Sequence, residues 1–157
     1  MANFDACWQV LLQNEGGFTV DNGGPTMYGV TEATARRHGF VGDVKNLPLA
    51  TAKQIAIQEY WLPYSCDQLP GWAADQILDA AYNGGKPAQW AQQVAGVTVD
   101  GQIGPKTVAA ISAMNPWQFV ALFNALRLNY LASLNQPAYA NGRMNRIANQ
   151  LRQGGLQ

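Results

Sequence analysis

Apolar residues recur at helical spacing along most of the chain. The first stripe is Phe4, Cys7, Trp8, Leu11 and Leu12, at i, i+3, i+4, i+7 and i+8 behind Asn3, a good N-cap residue. It predicts a helix running into Gly16-Gly17, a pair suited to a left-handed stop. Residues 17–30 break the period. They are too rich in Gly, Asn and Pro for a helix and predict a small hairpin or Ω-like loop. Thr31 then caps a second helix that ends at Gly39. Thr51 with Gln54 has capping-box spacing, which predicts a third helix stopping before Pro63. Residues 71–83 form the next, closed by Gly84-Gly85. Pro87 and Pro105 occupy first-turn positions of two more. Asn115-Pro116 opens the longest helix, carrying Phe119, Leu122, Phe123, Leu126, Tyr130, Leu131 and Leu134, and a last helix spans 142–152. The other extended candidate is "GVTVDGQIG", residues 96–104. The expected class is all-α, about seven or eight helices with one small hairpin or loop.

Length changes this picture little. A chain of 157 residues fits one compact domain, 1–157, with no repeat or linker to divide it. Charge changes it more. Charged residues are 13% of the chain, roughly half the usual level, so each carboxylate stands out. Residues 1–100 hold all ten acids against five Lys/Arg. Residues 101–157 hold Lys106, Arg127, Arg143, Arg146 and Arg152 and no acid. Such a basic segment either approaches an anionic polymer or lies against the acidic half of its own fold, and the second reading is the commoner.

Cys7 and Cys66 form no CxxC or metal-ligand pattern; Cys7 falls in a buried stripe, and a bridge between the two stays open. The N-terminal stretch lacks the basic and apolar regions of a signal peptide, and no apolar run reaches the ~18 residues of a membrane span. The expectation is a protein made in the cytoplasm, without membrane insertion. A substrate outside the cytosol would require another agent, a holin or a secretion system, to carry it there.

The candidate chemistry lies in "NEGGFTVDNGGPTMYGVT", residues 14–31. Glu15 falls in the last turn of the first helix, at the negative end of the helix dipole, where a carboxylate is disfavoured and its pKa is pushed up. The glycines permit positive φ and close backbone approach. No Lys-Ser/Thr follows them, so phosphate cradling is unsupported, and no nucleic-acid partner is expected. The single His, His38 before Gly39, reads as a plain surface residue and leaves a Ser-His-Asp triad or a metal centre without support. No metal and no cofactor are implied. A carboxyl group of raised pKa, with hydroxyls and aromatics beside a loop, is instead what a glycosidase needs: one group to protonate the leaving oxygen, another to manage water or positive charge. The bland alternative is a helix C-terminus followed by an irregular hairpin.

"EGGF" followed by "DNGGPTMYGVT" resembles the glycoside hydrolase family 108 lysozymes, whose signature runs E-G-G-Y, an Asp-containing turn, then G-G-A-T-x-Y-G-I-T. Further likenesses follow in order. "QEYWLPYSCDQLP" is similar to the family's x-x-Y-W-x-P stretch followed by D-x-L-P. "LDAAYNGG" is similar to its D-x-A-V-N-S-G helix end. "GVTVDGQIGPKTVAAI" resembles the D-G-x-I-G-P-x-T motif of the associated C-terminal peptidoglycan-binding region, and "NGRMNRI" a G-R-x-x-R ending. The resemblance spans nearly the whole chain. It implies a lysozyme-like helical fold, a muramidase-like part over 1–85 and a peptidoglycan-binding-like part over 86–157. It also implies an N-acetylmuramidase cutting between N-acetylmuramic acid and N-acetylglucosamine, as in phage endolysins or secretion-assisting lysozymes. Its partner would be the peptidoglycan glycan strand, and a monomer is expected. The runner-up is a non-catalytic peptidoglycan-binding or secretion-accessory protein.

Position by position, Glu15 matches the family's catalytic Glu and is expected to be the general acid. The loop after it is about three residues shorter than the family's, and Asp21 can stand for either of two family Asp positions. Asp21 is therefore the first choice for positioning water or stabilising charge, with an Asx-turn role nearly as plausible; Thr26 is the second. Tyr28 is either cleft wall or core. Thr31 is a candidate sugar contact or simply an N-cap. Asn83 is read as an N-acetyl contact or a cap, with Asp79 one turn before it on the same face. Tyr60 is a candidate sugar platform, although aromatics such as Tyr60 and Trp61 are more often core.

Overall fold

The protein is represented by a computed structural model describing residues 1–14, 17–21 and 24–154. Helix α1 spans Phe4–Asn14. As expected, the Asn3 side chain caps it, accepting from the backbone N–H of Asp5 at 2.8 Å. Strands β1 (Phe18–Asp21), β2 (Gly24–Met27) and β3 (Val30–Thr31) form an antiparallel sheet in the order β1-β2-β3. The expected hairpin is thus extended by a short third strand. Its register sets Asp21 opposite Gly24 and Thr26 opposite both Thr19 and Thr31. Thr31 accepts from the Thr34 N–H and starts α2 (Glu32–Arg37).

Helix α3 (Leu49–Ala56) begins earlier than the Thr51 signal suggested. Pro48 is extended at φ −63°, and its carbonyl accepts from the Ala52 N–H at 3.0 Å, so the helix is already under way at Thr51. The chain continues through a wide turn, Ile57–Trp61, and a 3₁₀ turn that absorbs Pro63 and ends in left-handed Ser65. Helices α4 (Gly71–Tyr82), α5 (Pro87–Ala95), α6 (Pro105–Ser112), α7 (Pro116–Ser133) and α8 (Ala140–Gly154) complete the described chain.

Helix α4 is buried from Ala73 to Ala81 and packs on α1, α5 and α7, which makes it the centre of the fold. Its own Ile77 and Leu78 are fully buried, as are Leu11, Ile55, Phe119 and Phe123 of other helices. Cys7 and Cys66 are both buried free thiols, so no bridge joins them. Burial pushes the Cys7 thiol up to about 12, as expected of a thiol acting as a small hydrophobe.

Residues 96–104 are not a strand. The buried Gln92 side chain occupies the place a partner strand would take. Its Nε2 donates to Asp100 Oδ1 at 2.6 Å and to the Gln102 carbonyl at 3.0 Å. Its Oε1 accepts from the N–H groups of Asp100 and Gly101. One amide thus satisfies the backbone groups of a tight loop whose Gly101 has φ +80°.

Helix α8 docks with little apolar surface: its buried residues are Ile147, Gln150 and Gly154. Gln76 Nε2 of α4 donates to Gln150 Oε1 at 2.6 Å, and Asn124 Nδ2 of α7 donates to Gln76 Oε1 at 2.7 Å. At Gly154 a Cβ would stand 2.6 Å from a Val120 methyl carbon, so only glycine allows this approach. Polar contacts from α4 and α7 therefore decide where α8 lies.

Candidate active site

A cleft of about 560 Å³ opens where the last turn of α1, the C-terminal end of α4 and the first half of α8 meet. Gln13, Asn83, Tyr139, Arg143, Arg146 and Asn149 line it. In sequence, Gln13 stands two residues before Glu15. Glu15 itself lies outside the described residues.

The cationic wall of the cleft is built on Asp79. This carboxylate is 1% exposed. It accepts from Arg127 Nη1 at 2.7 Å and from Arg146 Nε at 2.9 Å, with Arg146 Nη2 at 2.8 Å. Burial opposes the charge of Asp79, yet Arg146 and Arg127 outweigh it and hold the carboxyl below its ordinary range. Two guanidinium groups converge on this one carboxylate. Arg143, one turn before Arg146 on α8, adds a further guanidinium to the cleft wall. Its partners are neutral: Nη2 donates to Gln136 Oε1 at 2.6 Å, and the guanidinium lies 5.4 Å from the centre of the Tyr139 ring.

The expected site residues divide between this cleft and the frame beside it. Asn83 lines the cleft and also caps α4, its Nδ2 donating to the Asp79 carbonyl at 2.8 Å. Asp79 does not offer its carboxylate to a ligand; it faces the interior and holds Arg146. Asp21 is the last residue of β1, opposite Gly24. Thr26 Oγ1 shares a hydrogen bond with Thr19 Oγ1 across the strands at 2.7 Å. Thr31 is the N-cap of α2. Tyr28 has φ +53°, and its carbonyl accepts from the Tyr82 hydroxyl at 2.8 Å, tying the β2–β3 turn to the end of α4. Tyr60 packs edge-on against Tyr82, their ring centres 4.8 Å apart. Consecutive residues thus do different work: Tyr82 holds the sheet and Asn83 faces the cleft. His38 is not a plain surface residue; its Nε2 pairs with Glu59 Oε1 at 2.7 Å.

Arg143 and Arg146 are cleft residues that stand in the G-R-x-x-R ending without a role assigned to them there, and no local signal marked Tyr139. Two arginines three apart in an acid-free helix were the available hint, since that spacing puts both on one face. The basic C-terminal segment does lie against the acidic half of the fold, through Asp79, and it also presents Arg143 to the cleft.

One turn before Asp79, Asp75 is 6% exposed and has no hydrogen bond or ion pair among the described residues. Burial first, and the Asp79 carboxylate second, push its carboxyl from 3.8 to about 7. The folded state therefore binds this proton more tightly than the unfolded chain. The contribution to stability is complete below the unfolded pKa and is lost as pH rises through about 7. The full shift would correspond to ~4 kcal/mol. Asp75 borders an open groove between α1, α4 and α8, and solvent there reduces the effect to ~1–2 kcal/mol. Asp75→Asn should therefore melt ~3–6 °C above the wild type at pH 8, with the gap closing towards pH 4. Equal melting shifts at both pH values would show that Asp75 ionises normally.

Fold and cleft together define a lysozyme-like helical domain with a small sheet and a polar, cationic cleft. Residues 8–85 match the family model described as glycosyl hydrolase 108, and residues 86–146 match one described as a predicted peptidoglycan domain. The chain belongs to the glycosyl hydrolase 108 family. The two matched segments meet between α4 and α5. The structure of Brucella abortus SagA is similar, with a TM-score of 0.86 and 29% sequence identity over 96% of this chain and 92% of that chain. No curated protein sequence matches. Family and C-terminal region make this a peptidoglycan-acting glycosyl hydrolase. Among the described residues, no helix is long and apolar enough to cross a membrane.

Proposed function

We propose that the protein is an N-acetylmuramidase, hydrolysing the β-1,4 bond between N-acetylmuramic acid and N-acetylglucosamine with Glu15 as general acid. The observation carrying this reading is the polar cleft at the end of α1: Gln13 lines it, and the E-G-G segment of the family begins two residues further along the sequence. The cleft is open and polar, which suits a hydroxyl- and amide-rich glycan. Asn83, at its edge, is suited to an N-acetyl group. The protein acts at the cell wall, where its substrate lies.

Digestion of purified peptidoglycan tests the choice of bond. Disaccharide muropeptides with reducing N-acetylmuramic acid ends are expected. Anhydro-muramic ends would make the protein a lytic transglycosylase instead. Cleaved peptide stems on an intact glycan would end the glycosidase reading.

The second catalytic group is assigned to Asp21, with Thr26 next to it in rank. Asp21→Ala should lower turnover of the folded enzyme, and Thr26→Ala should lower it less, because the Thr26 hydroxyl is already engaged with Thr19. If Asp21 only braces the turn, its removal lowers the melting temperature and leaves specific activity near that of the wild type. Both quantities are measured on one preparation.

A further inference from the structure

The muramidase reading leaves one feature unused. Arg143 borders both the polar cleft and a second hollow of about 360 Å³ between the end of α7 and the start of α8. That groove is mainly apolar: Leu128, Leu131, Ala132, Pro137 and Met144 are among the residues lining it, together with Arg143. Leu128 and Met144 are exposed, at 39% and 60%. Neither hollow has an Asp or Glu among its described lining residues. Arg143 is held in place by Gln136 and Tyr139, both neutral, so its charge has no counter-ion among the described residues.

A guanidinium preorganised by neutral groups at the join of a polar and an apolar hollow suits one kind of ligand. That ligand has a sugar end, a carboxylate close to it and small apolar groups beyond. A bare glycan would fill the polar cleft and leave the apolar groove open to water. The peptidoglycan strand has the required chemistry, because its muramic acid residues bear short peptides with free carboxylates and methyl side chains.

We propose that the α7–α8 groove is a subsite for the acidic peptide stem of the substrate, with Arg143 pairing with a stem carboxylate. This rests on the reading of the cleft as the glycan site. Arg143 is then a specificity-determining residue: it selects strands that keep their peptides over stripped strands. The guanidinium supplies two parallel donors to a carboxylate, which lysine cannot reproduce. The exposed setting limits the gain, so a preference of roughly tenfold is expected.

The test is calorimetric titration of the full-length wild-type chain with two soluble ligands. One is the disaccharide N-acetylglucosaminyl-N-acetylmuramic acid carrying its stem peptide; the other is the same disaccharide after amidase removal of the peptide. Neither contains the bond proposed to be cut. The stem-bearing ligand should bind roughly tenfold more tightly. In Arg143→Gln and, independently, in Leu128→Asp, the ratio of the two dissociation constants should fall towards one. Leu128 is exposed, so its variant should fold, and melting curves check both. Equal binding of the two ligands by wild type overturns the proposal. So does tighter binding of the peptide-free disaccharide, which would assign Arg143 to the freed lactyl carboxylate. A variant that weakens both ligands by one factor makes Arg143 a glycan contact only. Digestion of intact peptidoglycan by wild type is run in parallel. A protein that releases no muropeptide but keeps the binding ratio has lost the muramidase reading and not the stem subsite.

Discussion

Glu15→Gln should fold normally, still bind glycan, and lose roughly 10²–10⁴-fold in turnover, the usual share of general acid catalysis. The amide keeps the shape and hydrogen-bonding capacity of the acid but has no proton to give to the glycosidic oxygen. The C-terminal end of α1 carries the negative pole of the helix dipole, which favours the neutral form of a carboxyl that follows it in sequence. Only the protonated form donates. The wild-type rate must therefore fall as pH rises through the pKa of Glu15, and that limb should vanish in Glu15→Gln. Wall-clearing turbidity assays across pH, on protein checked by thermal melting, measure both effects. A glutamine variant that clears walls at the wild-type rate removes Glu15 from the mechanism and the muramidase proposal with it.

Asp79→Ala should be among the most destabilising substitutions in the chain, costing ~3–5 kcal/mol. The side chains of Arg127 and Arg146 are only 4% and 12% exposed, and without Asp79 two positive charges would face each other in the interior. A loss of that size is a large part of the ~5–15 kcal/mol that holds an ordinary domain together. Because α8 docks through Arg146 and Gln150 more than through apolar surface, the loss should also free the cleft's cationic wall. Urea denaturation measures the stability, and activity well below the melting temperature measures the site. Adding Arg127→Met to Asp79→Ala should restore part of the stability by removing one of the two positive charges, yet should not restore activity, since the Asp79–Arg146 pair is still missing. A cost of under ~1 kcal/mol for Asp79→Ala would show that the ion cluster is not what fastens α8.

Local sequence determined the parts of this protein whose causes are local. Asn3, Thr31 and Asn115 each cap the helix they were expected to cap, because a cap is a bond between residues two or three apart. The stripe on α1 and the apolar run of α7 announce helices, because side-chain period follows backbone geometry. The glycine-rich segment after α1 announces a break in the helices that the sheet fills. Asp79 and Asn83 were rightly read as neighbours on one helix, and the Asn83 side chain does reach the Asp79 carbonyl. Only the tertiary structure decided which way that helix turns: it puts the Asp79 carboxylate inward and Asn83 at the cleft. Its partners Arg127 and Arg146 are 48 and 67 residues away, and a contact at that range leaves no periodic trace in either segment. The same reason hid Gln92, whose single amide replaces the strand expected at 96–104, and Pro48, whose extended backbone starts α3 before Thr51 can cap it. The catalytic candidate could be named from a motif. The positive charges that line the cleft, Arg143 and Arg146, come from α8, and Arg146 is held by a buried carboxylate on α4 that must be neutralised from some other part of the chain.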